Sequence, residues 1–274
     1  MSTSTRNLRF LAFVFCTFAG LVFVYPFFWL FLSSFKTNKE IYQPLLLFPS
    51  DYEWDAYSSL FSREILDFPG YFLNSIFISF SQAFLAVVVT AGAGFAFAKL
   101  EFPFKRLLFM LAILVILLPR QALAIPLFEW IALLELNGSA WSVILPGVAS
   151  GIGIVFFTQV FRGVPDELID LARVEGVSAF RTFLIVLPLV SPALVTYGLI
   201  HFILSWQEHL LPLLLLSDEN QTLPLGLAKL QDSSHRIPEA VAMAAATFSL
   251  LPVAVLFGIF YRRMRTALTE LALH

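Results

Sequence analysis

Phe10–Leu32 reads FLAFVFCTFAGLVFVYPFFWLFL, 23 residues without a charge, and it follows Arg6 and Arg9. At 1.5 Å of rise per residue this run makes a helix about 34 Å long, enough to cross a hydrocarbon core of roughly 30 Å. A cleavable signal has an apolar region of only about 7–15 residues and a small-x-small exit. This run is longer and has no such exit, so it is read as a retained first membrane helix. Outward from it lie five further apolar runs: Tyr71–Ala98, Leu107–Phe128, Trp141–Phe161, Phe183–Trp206 and Ala240–Tyr261. Each is long enough to span, and nearly all charges lie between them. The expected fold class is all-α integral membrane, one transmembrane domain over residues 1–274 with six helices.

Composition agrees. Of 274 residues, 59% are hydrophobic and 13% charged, whereas a soluble domain carries about a quarter charged residues. The apolar excess, which includes 31 Phe, exceeds what one core can hide and must face lipid. A net charge of −2 offers no basic surface for nucleic acid. The single cysteine, Cys16, cannot form an intrachain disulfide, and no His or Cys cluster marks a metal site. Cys16 is read as a small residue facing lipid or a neighbouring helix.

Two runs carry polar interruptions. The second holds Asn74, Ser75, Ser79, Ser81 and Gln82; the third is broken by Pro119, Arg120 and Pro126. Such breaks survive at membrane depth only against protein or a watery cavity, so both segments are expected inside a bundle. Gly92-Ala93-Gly94 and Gly151-Ile152-Gly153 would let helix backbones approach closely.

Lys and Arg set the orientation. With the N-terminus inside, the inner segments hold Arg6, Arg9, Lys99, Lys105, Arg106, Arg162, Arg173, Arg181, Arg262, Arg263 and Arg265, which is 11 of 17. The outer loop Glu129–Ala140 has Glu129 and Glu135 and no base. Both termini are therefore expected on the cytoplasmic side, in the plasma membrane of a prokaryote.

The loop between runs four and five is the most informative. Gly163–Gly176 reads GVPDELIDLARVEG. Pro165 suits a first helical position, where its missing N–H costs nothing. Asp166 and Glu167 complement the helix dipole. Leu168, Leu171 and Ala172 are expected to form one narrow apolar face. Gly176 permits a sharp turn and Ser178 can cap a second short helix. An amphipathic element of this kind lies on headgroups or fills a groove on a partner. Asp166, Glu167, Asp170 and Glu175 against Arg173 favour a protein partner over anionic lipid.

Asp170-Leu171-Ala172, Gly176 and Leu187-Pro188 resemble the cytoplasmic coupling signature of ABC-importer permeases. Ser205-Trp206-Gln207-Glu208 with Leu211-Pro212, Thr222-Leu223-Pro224-Leu225-Gly226-Leu227, and Glu101-Phe102-Pro103-Phe104-Lys105-Arg106 are similar to further elements of that family. The resemblance covers the chain from about Lys99 onward and points to the second permease of carbohydrate importers of the maltose and glycerol-phosphate type. It departs from the pattern at Asp170 and Leu171, at Gln207, in a spacing to Leu187 one residue short, and in the tail Ala267–His274.

The resemblance implies a permease that alternates access to a sugar or sugar-like solute. Its implied partners are a second homologous permease, two ATP-binding-cassette ATPase subunits docked on the coupling loop, an extracytoplasmic solute-binding protein and the lipid bilayer. The implied ATPase-docking residues are Pro165, Glu167, Asp170, Leu171, Ala172, Glu175 and Gly176 in a coupling loop of about 163–182. The segment Asp218–Glu239 is implied to meet the binding protein. No Gly-x-x-x-x-Gly-Lys-Ser/Thr loop is present, so the chain is read as no enzyme and without a cofactor of its own, ATP–Mg residing in the partner. Trp206, Gln207 and Glu208 at the outer end of run five could stack on and hydrogen-bond a sugar, or form an interfacial aromatic anchor. Arg120 could line the outer mouth or snorkel. His201 is read as packed between helices.

An ion-coupled secondary transporter normally buries Asp, Glu or His in its spans; apart from His201 the runs hold none. A non-transporting assembly subunit is the other alternative, and the ordered coupling loop argues against it. Disaccharide, amino sugar, glycerol phosphodiester and polyol all remain open as the solute.

Overall fold

The computed structural model describes residues 3–43, 45–230 and 237–272, with side chains described over 9–43, 45–119, 121–230 and 237–261. Among these residues every regular element is helical, and extended pairing is limited to one isolated bridge, Gly138 with Leu216. In chain order, α1 (Thr3–Ser33) is followed by the short helices α2 (Asn38–Ile41) and α3 (Asp55–Phe61), then by α4 (Phe68–Lys99). Next come α5 (Lys105–Leu117) and α6 (Ala124–Leu133), then α7 (Trp141–Val148) and α8 (Gly151–Arg162). The helices α9 (Asp166–Val174), α10 (Ala179–Val186) and α11 (Ser191–Trp206) lead to α12 (Leu210–Leu215), α13 (Leu223–Leu230) and α14 (Glu239–Ala272). Four stretches are each long and apolar enough to cross a bilayer: Arg9–Ser33, Phe68–Lys99, Ala179–Trp206 and Glu239–Tyr261. Six crossings result when the bent pairs α5–α6 and α7–α8, each bent by more than 40°, count as one span apiece.

Two compact units hold the chain. The first comprises Met1–Pro69 and Gly226–Leu251. Here nearly every residue of α1 from Arg9 to Phe31 is exposed, as expected of a helix whose solvent is lipid. Its end enters an aromatic cluster in which Phe35 meets Phe31, Tyr52, Trp54 and Tyr57 at 5.0–5.9 Å. Lys36, 1% exposed, donates from Nζ to the Leu46 carbonyl (2.6 Å) and lies over the Trp29 ring. Burial pushes its pKa down. Thr37 and Glu40 form a capping box on α2, and Glu40 Oε1 also accepts from the Ser50 amide (3.0 Å). Hydrogen bonds from Ser50, then from Thr37, hold the Glu40 carboxyl down at about 2. Phe61, Phe68 and Phe248 pack edge to face at 5.2–5.8 Å.

The second unit comprises Gly70–Leu225 and Pro252–His274. The polar residues of the second apolar run do turn inward: Ser75, Ser79, Gln82 and Thr90 on α4 are all buried. The third run differs from expectation. No side chain of α5 is buried, and Leu118, Pro119 and Gln121 at its break are exposed, so this segment is not interior to the chain's own bundle. Non-helical backbone such as this break, at membrane depth, is tolerated only against protein or a water-filled path.

The break between α7 and α8 is held from two sides. Pro146 and the extended Ala149 end α7, and Ser150 caps α8 by accepting from the Gly153 amide. Gln82 donates to the Val143 carbonyl (2.9 Å), and the Tyr197 hydroxyl donates to Ser150 Oγ (2.8 Å). Small residues make this possible. A Cβ on Gly153 would overlap the Tyr197 hydroxyl, and one on Gly94 would stand 2.5 Å from Phe157 Cβ. His201 is buried beside Tyr197, whose hydroxyl is 3.4 Å from its Nδ1.

Candidate functional site

The 163–182 loop is built by local signals and seated by distant ones. Pro165 stands at the N-cap of α9 with an extended ψ of 134°, one position before the first helical residue. The steric restriction that proline places on Val164, together with its fixed φ, sets the entry to the helix. At the far end Gly176 has φ +72°, its amide bonds the Arg173 carbonyl (3.1 Å) and the Val177 amide bonds the Ala172 carbonyl (2.9 Å). These are the two bonds of a Schellman stop, which needs a left-handed residue and so favours glycine. Ser178 Oγ then accepts from the Arg181 amide and starts α10. A 3-10 turn at Leu187–Val190, containing Pro188, joins α10 directly to α11.

The buried face of α9 is not the one its sequence periodicity indicated. Ile169, 6% exposed, is its core residue. It joins Phe95 of α4, Phe157 and Phe161 of α8, Val164, and Val186 of α10 in one cluster. Ala172, one turn on, is half-buried. Leu168 and Phe180 are exposed, as are Leu171 at 61% and Val174 at 84%. Pro165, Glu167, Asp170, Leu171, Glu175 and Gly176 all lie on the exposed surface of this loop. Val174 was missed by the sequence reading; its signal was an apolar residue at the end of a polar helix, away from the buried Ile169. Arg173 and Asp170 pair at 3.2 Å, but both are largely exposed and the pair adds little stability. The result is an apolar patch rimmed by carboxylates, on a helix bolted to the bundle by its opposite face.

Lys99, the last residue of α4, reaches this loop. Its side chain is 4% exposed, donates to the Val164 carbonyl (2.6 Å) and forms an ion pair with Asp166. Among the described residues no cluster of His, Cys, Asp and Glu could hold a metal ion.

At the other end of α11 the residues expected to touch solute are placed differently. Trp206 is 6% exposed, stacked on Phe202 (5.7 Å) and edge-on to Phe72 (5.8 Å). It is packed as a core residue rather than presented on the surface. Glu208 Oε1 accepts from the amides of His209 and Leu210 and caps α12; Gln207 is exposed. Asn74 donates to the carbonyls of Glu219 and Gln221, and Ser75 Oγ accepts from the Leu223 amide (2.7 Å). These bonds fix the first part of the Asp218–Glu239 segment against α4. The Arg120 side chain and residues 231–236 of that segment lie outside the described part, as do the side chains of the tail and residues 273–274.

Residues 88–269 match the family model described as binding-protein-dependent transport system inner membrane component. The arabinooligosaccharides transport system permease protein AraQ of Halalkalibacterium halodurans is 30% identical over 257 residues, covering 92% of this chain and 91% of that one. The trehalose transport system permease protein SugB of Mycobacterium tuberculosis is 32% identical over 250 residues, covering 89% and 90%. In fold, the chain matches the crystal structure of a bacterial ABC transporter involved in the import of the acidic polysaccharide alginate. The TM-score is 0.82 at 19% identity, over 96% of this chain and 98% of that one. A family match over most of the chain, with four to six apolar spans among the described residues, leads to one assignment: the chain belongs to the binding-protein-dependent transport system inner membrane components, permeases of the prokaryotic inner membrane.

Proposed function

We propose that this chain is the permease subunit of an ATP-binding-cassette importer for a sugar or sugar-like solute. The exposed set Leu168, Leu171 and Val174 carries the reading, because it lies on α9, a helix whose other side is anchored through Ile169 in the bundle core. An apolar patch on an otherwise charged loop marks a protein interface. In this reading a cytoplasmic ATPase seats on it, with Glu167, Asp170 and Glu175 at the rim. ATP–Mg is bound and hydrolysed in that partner, and α9 passes the partner's closure into the spans. A second permease meets this chain along the exposed, broken α5–α6 segment, whose polar backbone then faces the shared solute path. The outer segment around Glu219–Leu223 receives the solute-binding protein. Relatives named for arabino-oligosaccharides and trehalose support a polyhydroxylated solute.

The test is purification of the tagged chain in mild detergent from its own host, with mass spectrometry and an ATPase assay on the eluate. Co-purification of a second permease and a nucleotide-binding subunit, with vanadate-sensitive hydrolysis, is expected. A monodisperse chain without an ATPase would overturn the reading and turn attention to ion-coupled transport through His201.

A further inference from the structure

We infer that α4 is the rigid link between the partner-docking loop and the outer loop at Glu219–Leu223, and that Lys99 is the positioning residue at its inner end. The inference rests on the importer reading and adds to it the path by which the two faces communicate.

The geometry is specific at three levels of one helix. At the inner end the Lys99 ammonium holds two points of the docking loop together, the Val164 carbonyl and the first-turn carboxylate of Asp166. Halfway along, Gln82 grips the Val143 carbonyl at the broken α7–α8 span. At the outer end Ser75 and Asn74 bind the backbone of Leu223, Glu219 and Gln221. From Ser75 to Lys99 the helix rises about 36 Å, most of a membrane thickness. No proline interrupts that stretch.

Two kinds of contact join the docking loop to α4, and they do different work. Ile169 and Val164 against Phe95 are apolar contacts, which resist separation but tolerate sliding. The Lys99 side chain, 4% exposed, is directional: sliding α9 along α4 would break its bond to the Val164 carbonyl and its pair with the exposed carboxylate of Asp166. Displacement of α9 by a partner is therefore transmitted to α4 through Lys99, and α4 carries it to Asn74 and Ser75 as one body. A lysine placed only to mark the cytoplasmic side would snorkel into solvent; this one is turned inward.

The experiment uses the full transporter, assembled with the partner permease, ATPase and binding protein recovered in the purification above. The readout is the ratio of ATP hydrolysis with loaded binding protein to basal hydrolysis. Lys99→Met should assemble and keep basal hydrolysis, while the ratio falls by about tenfold, within the range of two-site couplings. Lys99→Arg should restore most of it. Ser75→Ala should lower the ratio alone but add nothing in the Lys99→Met background, because both cut the same link. Should Lys99→Met fail to assemble, Asp166→Asn, which alters an exposed carboxylate, carries the same expectation of a several-fold loss. An unchanged ratio in Lys99→Met or Asp166→Asn overturns the inference, as do additive losses in the double variant. Failure of the unmodified chain to recruit an ATPase is a different result, and overturns the importer reading itself.

Discussion

Replacing Ile169 by Ala separates the two faces of α9. The substitution removes three buried carbons, about 2.4 kcal/mol at roughly 0.8 kcal/mol each, and leaves a void among Phe95, Phe161 and Val186. With the cavity term the cost falls in the range of about 2–5 kcal/mol measured for such truncations. A nine-residue helix has almost no stability of its own, so nearly all of this loss appears as detachment of the loop. Taking about 3 kcal/mol, the detached population rises by about a hundredfold. Hydrogen exchange of the 164–178 amides should accelerate by that factor while the spans stay protected, and solute-driven ATP hydrolysis should fall. Leu171→Ala, at an exposed position, should do the reverse: exchange unchanged, ATPase subunit lost from the purified complex. Unchanged exchange in Ile169→Ala, or equal acceleration in Leu171→Ala, would refute the assignment of the two faces.

Three further outcomes follow from single residues. Gly176 sits at φ +72° with open space around it, so Gly176→Val should cost at least about 1–2 kcal/mol at the Schellman stop and abolish solute-driven hydrolysis while membrane insertion is kept. Gly176→Asn, which tolerates that conformation, should retain most coupling. Gly153→Val drives a side chain into Tyr197 and Thr90 and should lower thermal stability in detergent by about 1–3 kcal/mol, whereas Gly92→Ala, with nothing nearby, should not. Glu40 is depressed from 4.5 when unfolded to about 2 when folded. Its contribution is therefore complete above about pH 4.5 and lost as pH falls toward 2. Thermal melts across that window should show this loss, and Glu40→Gln should flatten it.

Much of the molecule was legible in its sequence because membrane insertion is decided by local quantities. Run length and the absence of charge in Phe10–Leu32 and its successors specify spanning helices, since a bilayer offers backbone groups no other partner. The Pro165, Gly176 and Ser178 signals placed the start, stop and restart of the 163–182 loop to within a residue, because capping is settled within one turn. The direction in which side chains face was set instead by contacts between distant segments. Leu168, Leu171 and Ala172 looked like the inner stripe of α9, yet Ile169 fills the core, because the partners that choose it are Phe95 and Phe161, far away in the chain. Trp206 read as a surface aromatic and is buried by Phe72 and Phe202. Lys99 read only as a marker of the cytoplasmic side; its hold on Val164 and Asp166 joins residues more than 60 positions apart. Hydrophobic length acts along the chain and can be read there, whereas burial and ion pairing depend on what the fold brings alongside.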